Sequence, residues 1–169
     1  DTIDHSILLK KLEWYGIRDN ELLWFTSYLS NRSQVVCYQN DFSEKTVLSI
    51  GVPQGTVLGP LLFMIYVNDI GQHIDLGACN MYADDLIVFC TGDTIDQVNN
   101  RLQKCTDNVS KWYQDNKLVV NTTKSNSMII TTRQRKGRHS SEKLDVSFLG
   151  SPLEQSYVSD YLGIKIDDC

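Results

Sequence analysis

The chain is poor in the features that mark several common protein classes. It has three histidines, and none stands at a metal-ligand spacing from another. Its longest unbroken apolar run, Leu61 to Val67, is too short to span a bilayer, and no signal peptide opens the chain. The five cysteines (37, 79, 90, 105 and 169) are odd in number and include no CxxC pair, which argues against a zinc ribbon or a disulfide scaffold. Four of them sit among apolar neighbours and read as small buried hydrophobes in a reducing, intracellular compartment. Three Asn-x-Ser/Thr triplets, at Asn31, Asn108 and Asn121, carry no weight without a secretory signal.

Positive charge is also scarce. Lys and Arg total 16 against 21 Asp and Glu, so the net charge is −5, the wrong sign for a lone nucleic-acid binder. The one basic concentration, Arg133, Arg135, Lys136 and Arg138, reads as a solvated loop, with a phosphate contact as the sharper alternative. Lys136 to Lys143 is the expected flexible loop. A hydrophobic content of 41% and a charged content of 22% are ordinary for a globular domain with its own core. A start at Asp1 and a stop at Cys169 suggest a fragment of a longer chain.

Ser6 to Tyr15 reads as a helix with Leu8, Leu12 and Tyr15 on one face and Gly16 as its stop. Asp19 or Asn20 can cap a second helix bearing Leu22, Phe25 and Leu29. Gln34 to Ile50 reads as two strands around Gln39-Asn40-Asp41, and Gly51-Val-Pro-Gln-Gly55 as a turn. Pro60 can sit in the first turn of a helix running to about Asp69, apolar on every side and so expected to be buried. Thr94-Ile-Asp-Gln97 resembles a capping box, and Ile95, Val98, Leu102, Cys105, Val109 and Trp112 then recur at helical steps. Further strands are expected at 117–120, 128–131, 146–149 and 161–166. The mixture predicts an α+β domain, helices packed on one face of an antiparallel sheet.

Tyr82-Ala83-Asp84-Asp85 is the most informative tetrapeptide. Short apolar arms flank Asp84-Asp85, so arms 80–83 and 86–89 are expected around it, with Cys79 opposite Cys90 and both cysteines thiols. Tight hairpin turns favour Asn-Gly or Asp-Gly, and Asp-Asp breaks that rule while placing like charges side by side. Such breaches are expected at functional sites. Two carboxylates on a rigid sheet offer hard oxygen ligands suited to magnesium. A plain surface turn is the alternative if the tetrapeptide stands alone.

It does not stand alone. Gly51-Val-Pro-Gln-Gly-Thr-Val-Leu-Gly-Pro-Leu-Leu-Phe63, followed by Tyr66-Val-Asn-Asp69, resembles motif B of non-LTR retrotransposon reverse transcriptases. Tyr82 to Asp85 resembles motif C, Leu118 to Met128 motif D, Tyr161-Leu-Gly-Ile164 motif E, and Asp1 to Leu9 the second half of motif A. The resemblance runs in order over nearly the whole chain. It implies a polymerase palm, RNA-templated DNA synthesis, and RNA template, DNA primer and dNTPs as partners, with no membrane. It implies Asp84 and Asp85 as ligands of two Mg2+ ions, with Mn2+ as an alternative. Pro53, Gln54 and Gly55 would shape the nucleotide and template pocket. Tyr82 would lie beside the primer end, or else be a core aromatic of its strand. Lys124 would protonate pyrophosphate, or else be a solvated strand-end charge. Tyr161, Leu162 and Gly163 would form the primer grip. The third catalytic carboxylate of motif A would lie a few positions before Asp1, with fingers and thumb also outside these residues. Asp1 and Asp4 then read as helix-capping residues. His5, His73 and His139 read as structural or exposed. A decayed copy without catalysis is the competing reading, and a cyclase with a similar palm fits the 51–60 loop poorly.

Overall fold

The computed structural model describes residues 2–132, 134 and 143–168. Asp1, Cys169, the basic cluster and all but the last residue of the 136–143 loop lie outside the described residues. Two compact units emerge, Asp1–Asp69 with Gln114–Val119, and Ile70–Tyr113 with Val120–Cys169.

The first unit begins with α1, His5–Trp14. Asp4 caps it, its carboxylate accepting from the backbone N–H groups of Ser6 (2.9 Å) and Ile7 (3.1 Å). The other end closes by two reciprocal bonds, Ile17 N–H to Leu12 O and Gly16 N–H to Glu13 O, with Gly16 at φ 93°. Only glycine takes that conformation without cost, so the expected stop is real. Leu8 and Leu12 are fully buried, whereas Tyr15 is exposed and its hydroxyl accepts from Asn68 Nδ2 at 2.8 Å.

The second helix, α2, spans Asp19–Leu29. Its N-cap is Arg18, without a side-chain cap bond, and neither Asp19 nor Asn20 takes that role. The first helical bond, Leu22 N–H to Arg18 O, already starts one residue earlier, leaving the acids in the first turn to face the helix dipole. Two nested hairpins follow. Strand β1, Arg32–Gln34, pairs with β4, Thr46–Leu48, and inside them β2, Cys37–Tyr38, pairs with β3, Asp41–Phe42. Gln39 and Asn40 both have positive φ (48° and 70°), the signature of a type I′ turn.

Helix α3, Leu58–Val67, packs with α2 against α1. It stops at Val67, short of Asp69, and a 3-10 turn at Ile70–His73 follows. Leu62, Tyr66 and Val67 are buried, but Leu61 and Met64 are 45% and 55% exposed. Full burial was expected of this helix and is not observed. An all-apolar helix buries only the faces its neighbours reach. Lys11 anchors it, its ammonium 2.6 Å from both Tyr66 O and Asp69 Oδ1. Burial pushes the Lys11 pKa down, and the Asp69 carboxylate partly restores it.

The second unit is built on α4, Ile95–Asp115, whose last two residues fall in the first unit. Thr94 Oγ1 accepts from Gln97 N–H, while the Gln97 amide reaches back to Asp93 N–H, a capping box displaced by one residue. Cys105, Val109 and Trp112 form its buried stripe. Along its flank lies β8, Ser147–Phe148, which pairs with β9, Ser151–Pro152, through a second type I′ turn at Leu149-Gly150. Here α4 side chains take the place of a neighbouring strand. Asn99 Oδ1 accepts from Asp145 N–H, Gln103 bonds both backbone groups of Ser147, and Ser110 Oγ accepts from Leu149 N–H.

The α+β mixture is as expected, but among the described residues the strands form six two-stranded ladders rather than one sheet. One of them, β7 (Asn126–Ser127) with β10 (Glu154–Gln155), is parallel. Residues 117–120 are not the expected strand: Lys117 has φ 52°, and Asn121 caps a 3-10 turn, Thr122–Lys124, instead. Residues 128–131 are not a strand either, pairing having ended at Ser127. Of the cysteines among the described residues, only Cys105 is buried; Cys79 and Cys90 are half-buried free thiols, and Cys37 is exposed in the short inner hairpin of β2 and β3.

The Asp4 cap generates a pH prediction. Hydrogen bonds from the Lys117 ammonium (2.7 Å) and from Ser6 hold the Asp4 carboxyl well below the usual carboxylate range, against the opposing effect of burial. A depressed folded pKa gives stability that is full above the unfolded value near about 4 and is lost as pH falls below it. Asp4→Asn keeps a capping oxygen and loses the ion pair. It is therefore expected to flatten the acid limb of a urea-midpoint-against-pH curve by lowering the midpoint at pH 7 toward its acid value. Asp4→Ala is expected to cost about 1 kcal/mol even at neutral pH.

Candidate active site

The carboxylate tetrapeptide sits on a hairpin of β5, Ala78–Tyr82, and β6, Asp85–Phe89. The register pairs Tyr82 with Asp85, so the turn residues are Ala83 and Asp84 rather than Asp84 and Asp85. The same register sets Cys79 opposite Val88, and the expected Cys79–Cys90 pairing is not formed. The turn lies one residue earlier than expected because Asp85 is already extended and hydrogen-bonded as a strand residue. Ala83 has φ 51° and Asp84 does not have a positive φ. That pattern is the type II′ turn, whose first position ordinarily takes glycine. An alanine there stores backbone strain of about 1–3 kcal/mol.

Both carboxylates are solvent-exposed at the hairpin tip. Tyr82 is 65% exposed, which excludes the core-aromatic alternative. The donors are hard oxygens, the type that magnesium takes. Among the described residues, however, no cluster of three His, Cys, Asp or Glu side chains could hold a metal ion. The tip fits the cation in donor type and falls short in donor number.

The turn-forming loop before α3 is pinned at both ends within the first unit. Gly51 N–H donates to Ile3 O at 2.7 Å, His5 Nε2 donates to Gly51 O at 2.7 Å, and Asp4 bridges Ile50. Beyond Gly55, Thr56 Oγ1 donates to Pro53 O (2.7 Å) and accepts from Gly59 N–H (3.1 Å). Between these clamps Gln54 and Gly55 stand exposed, with Gly55 at φ 72°. Gly59 has no room for a side chain, since a Cβ there would come 2.6 Å from Pro53 O.

Lys124 is exposed and closes the 3-10 turn, so it is not a strand-end residue. Tyr161-Leu-Gly-Ile164 is the reversal of a hairpin, not one strand. Strand β11, Val158–Tyr161, pairs with β12, Ile164–Asp167, around Leu162 (φ 51°) and Gly163 (φ 80°). Sequence reasoning missed the Thr56 clamp, the His5 anchor and the strained Ala83. A glycine wedged between Leu58 and Pro60 inside a helix was the available signal for the first of these.

The reverse transcriptase (RNA-dependent DNA polymerase) family matches residues 1–166, a span that contains every candidate residue. The chain belongs to the reverse transcriptase family. Relatives of this reverse transcriptase chain agree with its motif resemblance. It is 29% identical over 149 residues to the "Probable RNA-directed DNA polymerase from transposon X-element" of Drosophila melanogaster, covering 83% of the chain and 15% of that protein. It is 27% identical over 180 residues to the "Probable RNA-directed DNA polymerase from transposon BS" of the same species, covering 99% and 19%. To the "RNA-directed DNA polymerase from mobile element jockey" it is 27% identical over 148 residues, covering 83% and 16%. The reverse transcriptase chain thus spans less than a fifth of the length of these curated relatives. No helix among its described residues is long and apolar enough to cross a membrane.

Gly59→Ala tests the loop clamp. Alanine gains helix propensity of about 1 kcal/mol, but its Cβ meets a backbone oxygen that cannot swing away. A net loss of about 1–3 kcal/mol in denaturant unfolding is expected, together with increased amide exchange at Gln54 and Gly55.

Proposed function

We propose that this chain is the palm of an RNA-templated DNA polymerase. The observation that carries the proposal is the Asp84–Asp85 pair, exposed on a strained hairpin tip in a chain of the reverse transcriptase family. The reaction is in-line attack of a primer 3′-OH on the α-phosphate of a dNTP, with pyrophosphate leaving. Reverse transcriptases use divalent metal ions. Two Mg2+ ions about 4 Å apart, or Mn2+ in their place, would supply nucleophile activation and charge neutralisation of the leaving group.

Asp84 and Asp85 would hold the cations through carboxylate oxygens. Their shortfall in number fits a third carboxylate from sequence preceding Asp1, as the motif resemblance implies. The clamped Pro53-Gln54-Gly55 segment would present a backbone edge and an amide to the nucleotide and template base, the amide both donating and accepting. Tyr82, exposed across from Asp85, would pack beside the primer end. The Leu162-Gly163 turn with Tyr161 would grip the primer. Lys124, solvent-exposed, would meet the departing pyrophosphate. The partners are an RNA template, a DNA primer and dNTPs. The free thiols of Cys79 and Cys90 fit a reducing intracellular compartment.

In a polymerase carrying this chain with its flanks, Asp84→Ala should lower primer extension on an RNA template by at least about a hundredfold. The circular-dichroism melt should be unchanged. Gln54→Ala should depress nucleotide incorporation with the fold intact. The 169 residues alone should extend no primer with magnesium and dNTPs. Extension surviving Asp84→Ala would sink the reading.

A further inference from the structure

Trp24 and Tyr28 stand one helical turn apart on α2, their rings stacked at 5.3 Å and 10°. The Arg32 guanidinium lies over the Tyr28 ring, 5.3 Å from its centre. The three side chains make a column of flat groups, Trp24 at its open end and 51% exposed. Among the described residues Arg32 has no carboxylate partner, so its charge is uncompensated. The column also touches the clamped loop of the same unit, because the Tyr28 hydroxyl lies 3.4 Å from Thr56 Oγ1, the atom that staples Pro53 to Gly59.

We infer that Trp24, Tyr28 and Arg32 form a stacking platform for single-stranded nucleic acid leading to the 53–56 loop. The inference rests on the polymerase reading for its setting but on the column for its chemistry. An exposed indole backed by a parallel phenol ring offers a preformed face to a base, which stacks without regard to its identity. An unpaired guanidinium beyond Tyr28 meets a phosphate further along the same strand. The acids of α2, Asp19 and Glu21, lie in its first turn, away from Arg32. The phosphate chain is therefore drawn from Trp24 toward Arg32 and the loop.

The test is fluorescence anisotropy of a labelled 12-nucleotide single-stranded RNA titrated with the 169-residue chain, at several salt concentrations. Trp24→Ala should weaken binding about tenfold, and an abasic strand of equal length should bind the unchanged chain as weakly. Arg32→Gln should weaken binding and flatten the slope of log K against log salt by about 0.7, while Arg32→Lys restores that slope. Equal binding of the abasic strand, unaltered binding by Trp24→Ala and Arg32→Gln, or no RNA binding at all would overturn the platform. Those outcomes leave the polymerase reading standing. That reading falls instead if primer extension by the flanked polymerase survives Asp84→Ala.

Discussion

The first unit depends on one short stretch, Ile3-Asp4-His5, where the chain does three things at once. Asp4 closes the open end of α1 and holds the Lys117 ammonium across 113 residues of sequence. Its neighbours Ile3 and His5 hold Gly51 from both sides, by a backbone carbonyl and an imidazole. Because Gly51 opens the loop, the position of Gln54 and Gly55 follows from the register of α1. The helix core of Leu8, Leu12, Leu62 and Tyr66 then has only to keep α1 and α3 together. The Tyr66 hydroxyl carries the same logic further, donating to the carbonyl of buried Asn116 at 2.7 Å.

The local elements that the sequence made legible share a cause: each is decided within a few residues. Gly16 and the stripe of α4 are short-range signals and appear as expected; the turn narrows to Gln39-Asn40, the Thr94 box shifts by one residue, and the two strands expected over 34–50 form four short ones. The misjudged elements turn on competition between neighbours. Asn121 could be a strand end or a cap, and its side chain bonds Thr123 N–H at 3.1 Å. Tyr161 to Ile166 reads as one strand by its apolar content, but Leu162-Gly163 folds back. Leucine at positive φ is a poor turn former, and the signal was carried by the glycine alone. Pairing into short ladders rather than a sheet depends on long-range contacts that no local pattern encodes.

At the candidate site the residue types were legible and their placement was off by one. Apolar arms of equal length around Asp84-Asp85 suggested a symmetric turn. The backbone instead turns at Ala83-Asp84, which makes the two carboxylates unequal: one belongs to the turn and the other to a strand. A strand residue is fixed by its pairing, whereas a turn residue is fixed by the strained alanine before it. The two carboxylates are thus held by different means, a distinction that composition cannot carry.

The side chains with which α4 meets residues 145–149 have a consequence for self-association. An unpaired strand edge is a template for another chain, and proteins commonly blunt it with charge, proline or a covering loop. Here asparagine, glutamine and serine spaced along a helix occupy the peptide groups instead, mimicking a neighbouring strand with amides and a hydroxyl. The edge is closed without adding a strand, and no register has to be matched. Loss of the Gln103 amide would uncover both backbone groups of Ser147 together and turn a sealed margin into an adhesive one.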